Sequence, residues 1–97
     1  MKLSAQNREK KMKLKLFWRK ECKMCTPAKT ACARLEKEGI EVEYFDVDTV
    51  EGMAEAAFYE VSSTPTTIVV DRRGNEVASW RGEAPEVEAI LRLQGRS

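Results

Sequence analysis

The sequence predicts an α/β domain: a four-stranded mixed sheet with helices on both faces, in the order β-α-β-α-β-β-α. Two observations lead to it. Short alternating or continuously apolar stretches (13–18, 40–47, 66–71 and 76–81) are interleaved with stretches whose apolar residues recur at steps of three and four. The chain has 97 residues, 42% hydrophobic and 34% charged, which suits one globular domain with one modest core.

Each element has its own signal. Lys13-Leu14-Lys15-Leu16 alternates and turns apolar at Phe17-Trp18, a strand with its lysines on a solvated face. A charged loop, Arg19-Lys20-Glu21, leads to a helical pattern over 22–38, with Met24, Ala28, Ala31, Cys32 and Leu35 on one face. Pro27 sits early, where a missing N–H is tolerated, and Gly39 stops the helix. Residues 40–47 alternate again as a second strand. Residues 50–58 form a short helix expected to turn Met53, Ala54, Ala57 and Phe58 inward.

Residues 66–71 are apolar enough for a central strand. Arg73-Gly74-Asn75 is turn chemistry, so 76–81 returns as a hairpin partner. Ala84-Pro85-Glu86 opens a last helix with Val87, Ile90 and Leu91 on one face. Strands joined by helices are expected to pair in parallel, the hairpin antiparallel. Residues 13–97 read as a single domain. Residues 1–12 read as a flexible or appended leader, because Met-Lys-Leu occurs at 1–3 and again at 12–14.

Several function classes are disfavoured. No apolar run approaches the roughly 20 residues of a membrane span, so no membrane partner is expected. Residues 1–12 lack the apolar segment of a secretory signal, and a cytoplasmic location is expected. Residues 1–23 hold nine Lys or Arg against Glu9 and Glu21, yet no nucleic-acid motif accompanies them, and no nucleic-acid partner is expected. Residues 36–60 hold nine acids against Lys37, read as solvation. There is no histidine, which removes Cys-His and Ser-His catalysis and the usual zinc sites. Neither a metal nor a cofactor is expected.

The three cysteines are spaced C-x2-C-x6-C, an odd number that does not suit a disulfide-stapled domain. Cys22-Lys23-Met24-Cys25 falls between a strand and a helix, the context of a redox motif. A cysteine at a helix N-terminus meets unpaired N–H groups and the positive end of the dipole, and Lys20 and Lys23 add positive charge, against Glu21. Since a thiolate is the attacking species, Cys22 is the expected nucleophile. Cys25, one turn beneath, is the expected resolving thiol. Cys32 reads as a buried small hydrophobe, with a regulatory thiol as the sharper alternative.

With these residues the chain resembles the thioredoxin-like superfamily over residues 12–94. Phe17-Trp18 precedes the cysteine pair by the family's spacing, Thr64-Pro65-Thr66 resembles its cis-proline segment, and Gly82 stands where the family keeps a glycine. The resemblance implies a cis Pro65 packed beside the disulfide. It also implies that Thr64 offers backbone N–H and C=O to an extended substrate, with Trp18, Lys23 and Met24 completing the contact surface. The chain departs from the pattern in its Lys-Met dipeptide and in Glu21 before the first cysteine. Leu16 stands where thioredoxins often carry a buried Asp, and Tyr44 near a supporting Lys.

The function implied is a thiol–disulfide oxidoreductase reducing protein disulfides, a monomer recharged by a thioredoxin-reductase-like or dithiol donor. Alternatives are a glutathione-linked glutaredoxin-like protein, with Lys20 and Arg81 meeting the tripeptide's carboxylates, an iron–sulfur-binding protein, or a non-catalytic binding module.

Overall fold

The structure, a computed structural model, describes residues 12–95. Apart from Met12, the leader expected at the N-terminus lies outside the described residues. The elements are β1 (Lys13–Trp18), α1 (Cys25–Lys37), β2 (Glu41–Asp46), α2 (Val50–Phe58), β3 (Thr66–Val70), β4 (Glu76–Arg81) and α3 (Val87–Leu93). One mixed sheet has the strand order β2-β1-β3-β4. Among the described residues no helix is long and apolar enough to cross a membrane.

β1 and β2 pair in parallel, from Lys13 opposite Glu41 to Trp18 opposite Asp46. The expected parallel pairing through a helix stops there. β3 joins the other side of β1 and runs antiparallel, with Thr66 opposite Phe17 and Val70 opposite Lys13. The cause lies after α2. That helix descends until the Tyr59 hydroxyl donates to the Gly74 carbonyl at the β3–β4 turn, and residues 60–65 then climb back before β3 begins. β4 completes the antiparallel hairpin.

Alternation along the strands divides the core in two. Leu14, Leu16 and Val69 pack with Ala28, Cys32 and Leu35 of α1 and Ile90 of α3. Phe17, Ile68 and Val70 pack on the opposite face with Val47, just after β2, and with Ala56 of α2. β3 is buried at every position, as its composition predicts for a central strand.

α1 begins at Cys25, three residues later than the sequence pattern suggests. Residues 22–24 form a turn instead, in which the Cys25 N–H donates to the Cys22 carbonyl at 3.1 Å. Pro27 is then the third helical residue, still within the turn that lacks intrahelical acceptors. α3 likewise starts late: Glu86 is its N-cap, and Pro85 is buried just before it.

α2 presents the opposite face from the one expected. Gly52 and Ala56 are its buried residues, while Met53, Ala54, Ala57 and Phe58 are exposed. Periodicity finds the apolar stripe but not its direction. The direction is set by Gly52, where a Cβ would collide with the Asp46 carbonyl, and by Glu55, which reaches Lys15. Lys15 is accordingly not on a solvated face. It is buried beneath α2, with its ammonium 2.9 Å from Glu43 and 2.7 Å from Glu55.

Candidate active site

The cysteine pair lies where β1 hands the chain to α1. Cys22 and Cys25 form a disulfide with their Cα atoms 5.3 Å apart. Cys25 opens the helix and is only 3% exposed, whereas Cys22, in the turn before it, is half-buried. One sulfur therefore meets solvent and the other lies beneath it. Met24 at the N-cap supplies no side-chain cap, and the first turn of α1 carries no acid. The positive end of the helix dipole is thus left uncompensated beside the pair, an arrangement that favours a thiolate over a thiol.

The neighbouring side chains shape the surroundings. Lys23 and Met24, between the cysteines, are exposed. Trp18 is half-buried, and the Lys29 ammonium sits 3.6 Å from its ring centroid, a cation–π contact joining the end of β1 to α1.

The second half of the site comes from the start of β3. The Thr64–Pro65 peptide bond is cis. Thr66 is opposite Phe17 in the sheet, so Pro65 lies at the end of β1 from which the chain runs to Cys22. Pro65 is buried, and its carbonyl accepts the Gly82 N–H at 2.7 Å. Gly82 has φ +82°, a conformation glycine adopts without strain. Thr64 is half-buried, and neither its backbone N–H nor its C=O makes a hydrogen bond among the described residues. A donor and an acceptor are thus left for a chain laid alongside. Next to Thr64 opens a cleft of about 260 Å³, walled by Arg19, Val47, Met53, Ala57 and Ser63. Met53 and Ala57, expected inward from periodicity, line the cleft instead because α2 turns that face away from the sheet.

No protein-family profile and no curated protein matches the sequence. Solved structures do. The thioredoxin of Fasciola hepatica superposes with a TM-score of 0.71 at 26% identity, covering 99% of this chain and 89% of that one. A thioredoxin from Thermus thermophilus gives 0.64 at 27% identity, covering 96% and 78%. Thioredoxin-2 of a malaria parasite gives 0.71 at 24% identity, covering 86% and 80%. The chain belongs to the thioredoxin-like superfamily.

Within this thioredoxin-like chain the departures seen in sequence have definite places. Leu16 is fully buried in the apolar cluster with Ala28 and Cys32, and is opposite Thr67 in the sheet. It brings no carboxylate behind Cys25. Tyr44 is turned to α1, where its hydroxyl donates to Glu36 at 3.1 Å. Burial, and then the Glu36 carboxylate, push that phenol up to about 12. Arg81 donates to Glu76 at 3.0 Å and to the Glu60 carbonyl at 3.1 Å, which commits its guanidinium within the fold. Among the described residues no group of three or more Cys, Asp or Glu side chains converges so as to hold a metal ion.

Cys32 is fully buried on α1. Burial pushes its thiol up to about 12, and the nearby Thr67 hydroxyl opposes that shift without making a well-formed hydrogen bond. The group is a neutral thiol in the core at physiological pH, as the sequence predicts for a small buried hydrophobe.

Proposed function

We propose that the chain reduces disulfides in proteins by dithiol exchange at Cys22 and Cys25. The supporting observation is the contrast between a half-exposed Cys22 and a buried Cys25 within one C-x2-C turn. In the reduced form the Cys22 thiolate attacks one sulfur of a substrate disulfide. A Cys22–substrate bond forms, the substrate S–S bond breaks, and one substrate thiolate leaves and takes up a proton. Cys25 then loses its proton and attacks the Cys22 sulfur. The intramolecular disulfide forms, the mixed disulfide breaks, and the second substrate thiol departs. Two electrons and two protons pass to the substrate.

Without an Asp at position 16, the Cys25 proton passes to water or to the departing substrate thiolate. Thr64 holds the substrate backbone alongside Pro65, and Trp18, Lys23 and Met24 surround the reacting sulfur. The partners are disulfide-bearing proteins and an external dithiol or flavin-reductase donor that restores the thiols. We take the setting to be the cytosol, where the thiol pool drives electrons outward, and the chain to act as a monomer.

The test is turbidimetric reduction of insulin driven by dithiothreitol. The wild-type chain accelerates precipitation of the insulin B chain, and Cys22→Ser removes the acceleration. Equal rates for the two proteins would eliminate disulfide reduction as the function.

A further inference from the structure

The outer face of α2 is apolar along its whole length. Val50, Met53, Ala54, Ala57 and Phe58 follow one another at steps of three, one, three and one, the spacing of a single helical stripe. Such a stripe ordinarily faces a core. Here Val50, Met53 and Phe58 are 82%, 55% and 75% exposed, because Gly52, Glu55 and Ala56 take the side toward the sheet. The stripe is continuous with the cleft beside Thr64, since Met53 and Ala57 belong to both.

The segment that carries the stripe is charged with one sign, although Arg19 borders it at the cleft and Arg73 and Arg81 border it beside Phe58. Residues 48–64 contain Asp48, Glu51, Glu55 and Glu60 and no Lys or Arg. Arg19 pairs with Asp48 and Lys15 with Glu55. Glu51 has no ion-pair partner among the described residues and stands exposed at the first turn of the stripe, whereas Glu60, beyond its other end, has Arg73 and Arg81 as neighbours.

We infer that this face receives the polypeptide that carries the disulfide, and that it selects segments with apolar and basic residues flanking the reactive cysteine. The inference rests on the dithiol reading above and names its substrate class. A chain held at Thr64 enters the cleft and continues over Met53 toward Phe58. The stripe is about 12 Å long at 1.5 Å per residue, which matches roughly four residues of extended chain. Apolar side chains of the substrate bury Val50, Met53 and Phe58, and a basic residue of the substrate meets Glu51.

The experiment uses the full chain and two synthetic ten-residue peptides. Each carries one cysteine as a mixed disulfide with thionitrobenzoate, whose release is followed by absorbance. One peptide has Leu and Lys beside the cysteine, the other Ser and Glu. The expected result is about a tenfold higher second-order rate constant for the Leu/Lys peptide. In a Val50→Ser/Phe58→Ser double variant, that advantage falls below about threefold, while the rate with free bis-thionitrobenzoate disulfide stays within about twofold of wild type.

Equal rates for the two peptides in the unaltered chain overturn the inference, as does an advantage that survives the double variant. A dimer seen by sedimentation and dissolved by Phe58→Ser also overturns it, because the face then belongs to a second copy. If the small disulfide itself is not reduced, the dithiol reading fails and the substrate inference falls with it. Full activity on the small disulfide with no peptide preference sinks the substrate inference alone.

Discussion

The ammonium of Lys15 lies 2.7 Å from the Glu55 carboxylate and 2.9 Å from that of Glu43, so a single lysine on β1 ties both α2 and β2 to the sheet. The rings of Phe45 and Tyr59 stand 5.2 and 5.6 Å from the same nitrogen and shield it from water. Removing the cation leaves Glu55 half-buried without an ion-pair partner among the described residues and Glu43 with Lys13 alone, 3.3 Å away. Lys15→Met is expected to lower stability by about 1–2 kcal/mol, less than for a fully buried pair because both glutamates keep partial contact with solvent. Urea denaturation of Lys15→Met, Glu55→Gln and the double variant should give a coupling of about 1 kcal/mol. Additive losses would mean that the contact contributes nothing.

The same pair sets a pH window. Burial alone would pull the Lys15 ammonium down, but its hydrogen bonds to Glu55 and Glu43 outweigh that and hold it above its ordinary 10.5. Burial alone would push the Glu43 carboxyl up, but Lys15 and Lys13 outweigh that and hold it below its ordinary 4.5. The Glu43 contribution is therefore complete above 4.5 and disappears as pH falls through the lowered native value. The Lys15 contribution is complete below 10.5 and disappears as pH rises through the raised native value. The stability gap between wild type and Lys15→Met should be flat from about pH 6 to pH 9 and narrow toward both extremes. A gap that widens in acid would contradict this assignment.

Lys15 also shows where the sequence could be read and where it could not. Alternation in β1 put Lys13 and Lys15 on one face correctly, but whether that face is wet depends on Glu43 and Glu55, 28 and 40 residues away. The α2 stripe was visible for the same reason that its direction was not: periodicity measures segregation and is blind to which side the sheet occupies. A glycine inside a helical run was the available clue, since it marks a close backbone approach. The cysteine pair and Thr64-Pro65 were legible because each is a short local motif. The antiparallel entry of β3 was not, because it depends on how far residues 60–65 climb before pairing begins.

Gly52 lies against the Asp46 carbonyl, which a Cβ would strike directly. Alanine is the better helix former by about 1 kcal/mol, yet Gly52→Ala is expected to cost about 2 kcal/mol or more because backbone blocks the space. In a domain of this size that corresponds to a melting temperature lower by roughly 10 °C. Ala54→Gly, on the exposed side of the same helix, should lose only about 1 kcal/mol. Equal losses at the two positions would show that α2 can shift to make room.

Cys32 has no exposed surface and a thiol pushed up to about 12, so it should resist reagents that label the working pair. After reduction of the disulfide, brief treatment with iodoacetamide at neutral pH should modify Cys22 first and Cys25 slowly. Cys32 should remain unlabelled until the chain is unfolded in urea. Peptide mass spectrometry distinguishes the three sites. Labelling of native Cys32 at a rate near that of Cys22 would require the α1–sheet interface to open readily.

The difference in exposure between Cys22 and Cys25 predicts which mixed disulfide can be caught. Serine at position 25 keeps the size of the resolving group but has no sulfur with which to attack the Cys22–substrate bond. Cys25→Ser should therefore retain substrate proteins as covalent adducts that dithiothreitol releases. Cys22→Ser should retain almost none, because Cys25, a residue only 3% exposed, cannot readily reach an incoming disulfide. Gel shift and mass measurement of chains mixed with an oxidised model protein decide between them. Adducts on Cys25 in Cys22→Ser at a similar yield would mean that burial does not choose the nucleophile, and the order of the two attacks would have to be reversed.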